Sequence, residues 1–260
     1  MTTHGYLYIA NGRVYVDEAL NSVASLRRVE PEAHVTLVTG EPFESPLFDR
    51  VIVEPFEVDS WKSGLLYKVR HMYASSPYDR TFFVDSDTYF CDSCRELFHL
   101  LDFYDLCITD AQNDCSEIRS GNGVLRGYFP YCTGIMVFRK SDANRQLFQS
   151  WLEIYETKMS QYQHDQGPLA EALLNATAKL YVARNIYNAK LNYHVSYMAS
   201  KVKIIHGRAD DYEAVRKALN STPVNRSWDP ISRQCGQMPA IRYVKAYAKY
   251  LRRMFARPHD

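Results

Sequence analysis

Charge of one sign is missing from this chain: 31 lysines and arginines stand against 30 aspartates and glutamates in 260 residues, a formal net charge of +1. Bulk electrostatics therefore excludes a polyanion binder, and no nucleic-acid partner is expected. Long apolar runs are lacking too. No stretch approaches the roughly 18 residues that a membrane span needs, and nothing after Met1-Thr-Thr-His-Gly5 reads as a signal peptide. The expectation is a cytoplasmic protein, peripheral to the inner face of a membrane at most. The six cysteines are scattered. Cys91 and Cys94 form one CxxC pair, but no second pair stands at ribbon or finger spacing, so reduced thiols are expected rather than zinc. The fingerprint GxGxxG is absent, which argues against a dinucleotide-dependent dehydrogenase. Without repeats or low-complexity segments, the chain reads as one large domain over residues 1–238, followed by a basic segment over 239–260.

What is present is an α/β rhythm. Tyr6–Ala10 reads as a strand, Val16–Arg28 as a helix with Ala19, Leu20, Val23 and Leu26 on one face, and His34–Val38 as the next strand. Further short strands are expected at Val51–Val53, Thr81–Val84, Leu106–Thr109, Gly134–Phe138, Lys179–Ala183 and Val202–Ile205. Helices are expected at Ala143–Lys158 and Gln166–Asn175, with a long loop over Ala111–Gly127. This is the opening of a Rossmann-like nucleotide fold with a mostly parallel central sheet flanked by helices.

The strand Phe82-Phe83-Val84 runs into Asp85-Ser86-Asp87. In an extended backbone, side chains two apart share a side at roughly 7 Å, so two like charges there call for a counter-charge. The carboxyl end of a central strand is where open α/β sheets place ligands. Carboxylate oxygens suit magnesium or manganese, and a metal held there could hold a diphosphate in turn. The alternative is a pair of solvated acids that end a strand.

The segment Gly64–Phe90, GLLYKVRHMYASSPYDRTFFVDSDTYF, resembles the metal-binding region of the glycogenin-like and lipopolysaccharide galactosyltransferase-like family of retaining glycosyltransferases, which have the GT-A fold. The resemblance continues in order from about residue 5 to about residue 210. It implies that Lys68, Asp85, Ser86 and Asp87 lie at the diphosphate and its metal. The segment YIANGRVYVDEALNSVASL is similar to the family's first strand and helix, which implies base contacts by Asn11 and Tyr15 and backbone contacts by Ala10. In YCTGIMVF, Cys132-Thr133-Gly134 stands where the family carries Asn-Ala-Gly or Asn-Ser-Gly. Gly134 would let the backbone approach the sugar, and Thr133 would offer it a hydroxyl.

QHDQGPLAEAL resembles the family's Asp-Gln at a helix start, which implies that Asp165 and Gln166 lie beside the anomeric carbon. A carboxylate there can bind sugar hydroxyls and stabilise positive charge; the alternative is that Asp165 caps the helix. In KVKIIHGR, His206 matches the family's third metal ligand and completes an Asp85–Asp87–His206 set, in which imidazole favours Mn2+ over Mg2+. Arg208 stands near the family's diphosphate-binding lysine. The resemblance implies a metal-dependent transferase that moves a sugar from a UDP-sugar to a glycan or glycolipid acceptor with retention of configuration.

The segment IRYVKAYAKYLRRMFARPHD places Ile241, Val244, Tyr247, Leu251, Met254 and Phe255 on one helical stripe among basic residues. It reads as an amphipathic helix suited to an anionic membrane surface, or one docked on the domain. Two rival functions are a catalytically silent nucleotide- or glycan-binding protein on the same fold and a DxD phosphatase. The phosphatase motif normally has Thr or Val where this chain has Tyr89.

Overall fold

The computed structural model describes residues 3–57, 59–111, 117–120, 123–126, 131–191, 196–198, 200–221, 226–229 and 234–236. The expected basic helix over 239–260 lies outside them. In chain order the elements are β1 (His4–Ile9), α1 (Arg13–Val29), β2 (Val35–Thr39), β3 (Arg50–Val53), α2 (Trp61–Ala74), β4 (Arg80–Val84), β5 (Thr88–Phe90), α3 (Glu96–Leu100) and β6 (Leu106–Asp110). Next come β7 (Glu117–Ser120), β8 (Gly123–Arg126), β9 (Tyr131–Arg139), α4 (Asp142–Lys158), α5 (Gln166–Leu173) and β10 (Leu180–Ala183). After a 3-10 turn, Asn185–Tyr187, follow β11 (Ala189–Lys190), β12 (Ser196–Met198), β13 (Ile204–His206), α6 (Tyr212–Leu219), β14 (Arg226–Asp229) and β15 (Gln234–Gly236).

A seven-stranded sheet in the order β10-β6-β9-β4-β1-β2-β3 forms the centre. Its pairings are parallel except those of β9, which runs antiparallel to both β4 and β6. The period-2 alternation of strand side chains sorts the core into two layers. Tyr6, Tyr8, Phe82 and Val84 pack with Val16, Ala19, Val23 and Leu26 of α1. Leu7, Phe83, Met136 and Phe138 face the other way, against Tyr67, Val69 and Met72 of α2 and Phe148 and Trp151 of α4. Burial of each such side chain contributes about 1.5–3 kcal/mol. Because both faces are covered, the strands read as continuous apolar runs in the sequence.

Among the described residues each expected strand and helix is present, with ends shifted by a few residues. The expected loop over Ala111–Gly127 is different: β7 and β8 pair there as an antiparallel ribbon. Its signal was in the sequence, since Gly-Asn-Gly between Ile118 and the Val124-Leu125 pair has the composition of a hairpin connection. The CxxC pair is structural. Cys91 and Cys94 are free and buried, and burial raises both thiols, Cys91 to about 12. Among the described residues, no helix is long and apolar enough to cross a membrane.

A second sheet of three strands, β11-β13-β5, stands beside the large one. Strand β13 pairs antiparallel with β5, so His206 lies opposite Thr88, one residue after the second acid of the Asp-Ser-Asp motif. Strand β11 pairs parallel with β13 and sets Lys190 beside His206.

Candidate active site

Asp85 and Asp87 come together on a turn, and not on extended backbone as the spacing suggests. Strand β4 ends at Val84, Asp85 N still donates to Gly134 O at 2.8 Å, and the chain then turns through Ser86 and Asp87 into β5. Thr88 Oγ1 donates to Asp85 O at 2.9 Å and closes the turn. Gly207, at φ 115, donates its N–H to Asp87 O at 2.8 Å, which ties the segment after β13 to the same turn. An L side chain rarely adopts that φ, so glycine is suited to this tie.

His206 Nε2 lies 3.4 Å from Asp87 Oδ1 and 3.8 Å from Asp85 Oδ2. One ligand atom from each of the three residues lies within 4.8 Å of the others, the only such group of three among the described residues. Two carboxylates and an imidazole form a donor set that suits Mn2+ or Mg2+. The fit also shows in Gly134, where a Cβ would lie 2.2 Å from Asp85 Oδ2 and 2.6 Å from His206 Cε1. Glycine there keeps the space between the ligands free.

The group is tuned by its own charges. Burial disfavours the charged form of His206, but the Cys132 thiol and the Asp87 carboxylate offset it and push the imidazole up to about 10. Burial likewise works against ionised Asp87, and the His206 hydrogen bond and charge outweigh it, pulling the carboxyl down to about 2. Cys132 Sγ lies 3.8 Å from His206 Nδ1. Its burial is more than offset by the charges of Lys190 and His206, which draw the thiol down to about 7.

Beside this triad stands a buried ion pair. Lys68 is 8% exposed on the otherwise apolar inner face of α2, where the Ser60–Ser63 capping box fixes the helix start. Its Nζ lies 2.8 Å from Asp165 Oδ2 and 3.5 Å from Asp85 Oδ1. Burial opposes the ammonium charge, but Asp165 and Asp85 overcome it and hold the pKa above its usual value. Thr133 Oγ1 donates to Asp165 Oδ1 at 3.0 Å, while Asp165 Oδ2 makes no hydrogen bond and meets the ammonium as an ion-pair contact.

Three expectations change here. Asp165 occupies the helix-start position of α5 in αR geometry and makes no side-chain cap, so the capping role is excluded. Thr133 is 3% exposed and its hydroxyl is committed to Asp165 and Lys68, so it positions these groups and does not offer a free hydroxyl to a sugar. Gly134 makes room for the acids and the imidazole as well as for backbone approach.

All the expected site residues line one cavity of about 560 Å³: Ala10, Asn11, Tyr15, Lys68, Asp85, Ser86, Asp87, Thr133, Gly134, Asp165, Gln166, His206 and Arg208. It opens at the carboxyl ends of β1 and β4, where the sheet order departs to β2 on one side and to β4 on the other. Asn11 Nδ2 donates to Phe56 O at 3.1 Å, and Tyr15 is 42% exposed at the rim. Arg208 forks onto Glu18, which also accepts from Ser86 Oγ at 3.0 Å.

Sequence reasoning missed several lining or supporting groups: Glu18, Trp61, Cys132, His164, Asn188 and Lys190. Glu18 is partly buried on α1, three residues past Tyr15. Asn188 and Lys190 follow a short turn with no motif of their own; only the pairing of β11 with β13 brings them to the site.

No protein-family model matches the chain, and no curated protein matches it. Solved structures do. The glycosyltransferase GlyE of Streptococcus pneumoniae TIGR4 superposes with a TM-score of 0.54 at 14% identity, over 86% of this chain and 58% of GlyE. An active-site mutant of LgtC superposes with a TM-score of 0.57 at 12% identity, over 79% of this chain and 87% of LgtC. The chain thus spans little more than half of GlyE but most of LgtC. At such identities the likeness establishes architecture, and this chain has the GT-A fold that these two structures share.

Proposed function

We propose that the chain is a metal-dependent glycosyltransferase that moves a sugar from a nucleoside diphosphate sugar, a UDP-sugar, to a glycan or lipid-linked acceptor with retention of configuration. The observation that carries this reading is the Asp85–Asp87–His206 triad in one cavity with the Lys68–Asp165 pair. A divalent cation bound by the triad would supply positive charge to the departing diphosphate.

The residues of the chain divide the remaining work. Asn11, Tyr15 and the backbone at Ala10 form the wall that would hold the base. Lys68, charged at any ordinary pH, adds a second cation beside Asp85 to receive the leaving group. Asp165 is locked between Thr133 and Lys68, which suits a group that fixes the sugar's hydroxyls and faces developing positive charge at the anomeric carbon. In the reaction the bond from the anomeric carbon to the β-phosphate oxygen breaks, and the acceptor oxygen bonds to the same carbon on the same face. The acceptor's proton passes to the departing phosphate oxygen. Gln166 lies beside Asp165 in the cavity wall and would orient the sugar by its amide.

The test is calorimetric titration with nucleoside diphosphates and their sugars, with and without Mn2+, on the wild type and on Asp87→Asn. Manganese-dependent binding of one nucleoside diphosphate that vanishes in the variant supports the reading. A protein that binds none of them with any divalent ion is not a glycosyltransferase of this kind.

A further inference from the structure

The chain has three tryptophans. Trp151 and Trp228 are 0% and 2% exposed, as large apolar side chains usually are, but Trp61 is 53% exposed. It is not a stray surface residue, because it lines the cavity. It is the first residue of α2, between the two serines of the Ser60–Ser63 capping box, so its backbone is fixed. His164 meets the indole at right angles, with ring centroids 4.9 Å apart and an interplanar angle of 88°. The contact joins the start of α2 to the residue that leads into α5. His164 immediately precedes Asp165, so the contact sets Trp61 beside the segment that carries Asp165 and Gln166.

We propose that Trp61 is the platform on which the acceptor stacks, and that the acceptor is therefore a glycan presenting the C–H face of a pyranose ring; this rests on the glycosyltransferase reading. The electron-rich face of an indole attracts such C–H groups and buries them at little entropic cost. The contact of Trp61 with His164, the residue before Asp165, assigns the ring to the acceptor and not to the base, whose wall is Asn11 and Tyr15. Asp165 and Lys68, which flank the donor sugar's place, are 3% and 8% exposed, whereas Trp61 is half exposed at the mouth, where a second substrate arrives from solvent. The surroundings suit a polyol. The Asp59 carboxylate lies on the rim, and His164, whose pKa burial lowers, presents a neutral imidazole beside the indole. A serine or threonine side chain offers no ring to stack, and an acyl chain has no use for the polar rim.

The exposure difference supplies the assay, because acrylamide quenching of this protein's fluorescence reports chiefly on Trp61. With UDP and Mn2+ saturating, maltose, cellobiose and lactose are added in turn. At least one of them should protect the indole, roughly halving the quenching constant. The same sugar's affinity, followed by saturation-transfer NMR, should fall about tenfold in Trp61→Ala and less in Trp61→Phe, while calorimetric UDP–Mn2+ binding stays within about twofold. Full protection by UDP–Mn2+ alone would place Trp61 in the nucleotide site and overturn the proposal. So would sugar binding that is equal in Trp61→Ala, or no protection by any of the sugars while UDP–Mn2+ still binds. Failure of UDP–Mn2+ itself to bind removes the glycosyltransferase reading first, and this proposal with it.

Discussion

Asn188 Oδ1 lies 2.9 Å from His206 Nδ1, and the amide nitrogen of the same residue donates to the carbonyl of Asp110 at 2.9 Å. A carbonyl can only accept, so the amide is oriented by Asp110 and turns its oxygen to the ring. His206 Nδ1 therefore carries a proton, and Nε2 is the nitrogen left to face Asp85 and Asp87. Asn188 is fully buried, and no motif in the sequence marks it.

Asn188→Ala should weaken Mn2+ binding by about 10–100-fold, the usual cost of losing a residue that orients a ligating imidazole. Calorimetry of Mn2+ with UDP reads the loss, and circular dichroism checks that the fold persists. Unchanged affinity would mean that packing alone orients His206.

Mn2+ binding should release about one proton near pH 7, because His206 is protonated in the metal-free protein, at about 10, and must give up its Nε2 proton to ligate. Titrations in buffers of different ionisation enthalpy measure this directly. Release of no proton would show that His206 is already neutral or is not a ligand.

The metal-free protein should lose stability on both sides of neutrality. His206 has a folded pKa raised from 6.5 to about 10, so its contribution is complete below about pH 6.5 and disappears as pH rises towards about 10. Asp87 is lowered from 3.8 to about 2, so its contribution is present above about pH 3.8 and disappears as pH falls towards about 2. Thermal melts from pH 6 to 10 should decline in the wild type and be flatter in His206→Gln; parallel curves would count against the pairing.

Gly134→Ala should reduce Mn2+-dependent nucleotide binding by about 10–100-fold, since the new methyl group would lie 2.2 Å from Asp85 Oδ2. Binding by calorimetry is the measurement. A variant that binds as the wild type does would show that the carboxylate can move aside without cost.

Asp165→Leu should destabilise the fold by about 3 kcal/mol, because it leaves the Lys68 ammonium buried without its nearest partner. The cost stays at the low end of the range for a broken buried pair because Asp85 remains 3.5 Å away. The double variant Lys68→Met/Asp165→Leu should recover most of that stability in urea titrations but none of the transfer activity. If the double variant is as unstable as the single one, the buried charge is not the source of the cost.

The sequence by itself determined the layers of this protein and the place of its paired acids at a strand end. Runs such as Phe82-Phe83-Val84 can only be strands covered on both faces, and Ala19, Val23 and Leu26 can only turn one stripe of a helix towards them. Asp85 and Asp87 were legible as paired acids at a strand end, with solvated acids as the alternative, and His206 only through the resemblance that set it third in the group. The tertiary structure decided what depends on which strands pair. The β13–β5 and β11–β13 pairings carry Asn188 and Lys190 to His206 across stretches of chain whose local sequence says nothing of it. Asp165 read as a ligand-binding acid, with helix capping as the alternative. Lys68 from α2 and Thr133 from β9 draw it from the cap position, because a buried carboxylate goes to the cation and the hydroxyl that neutralise it when these lie within reach.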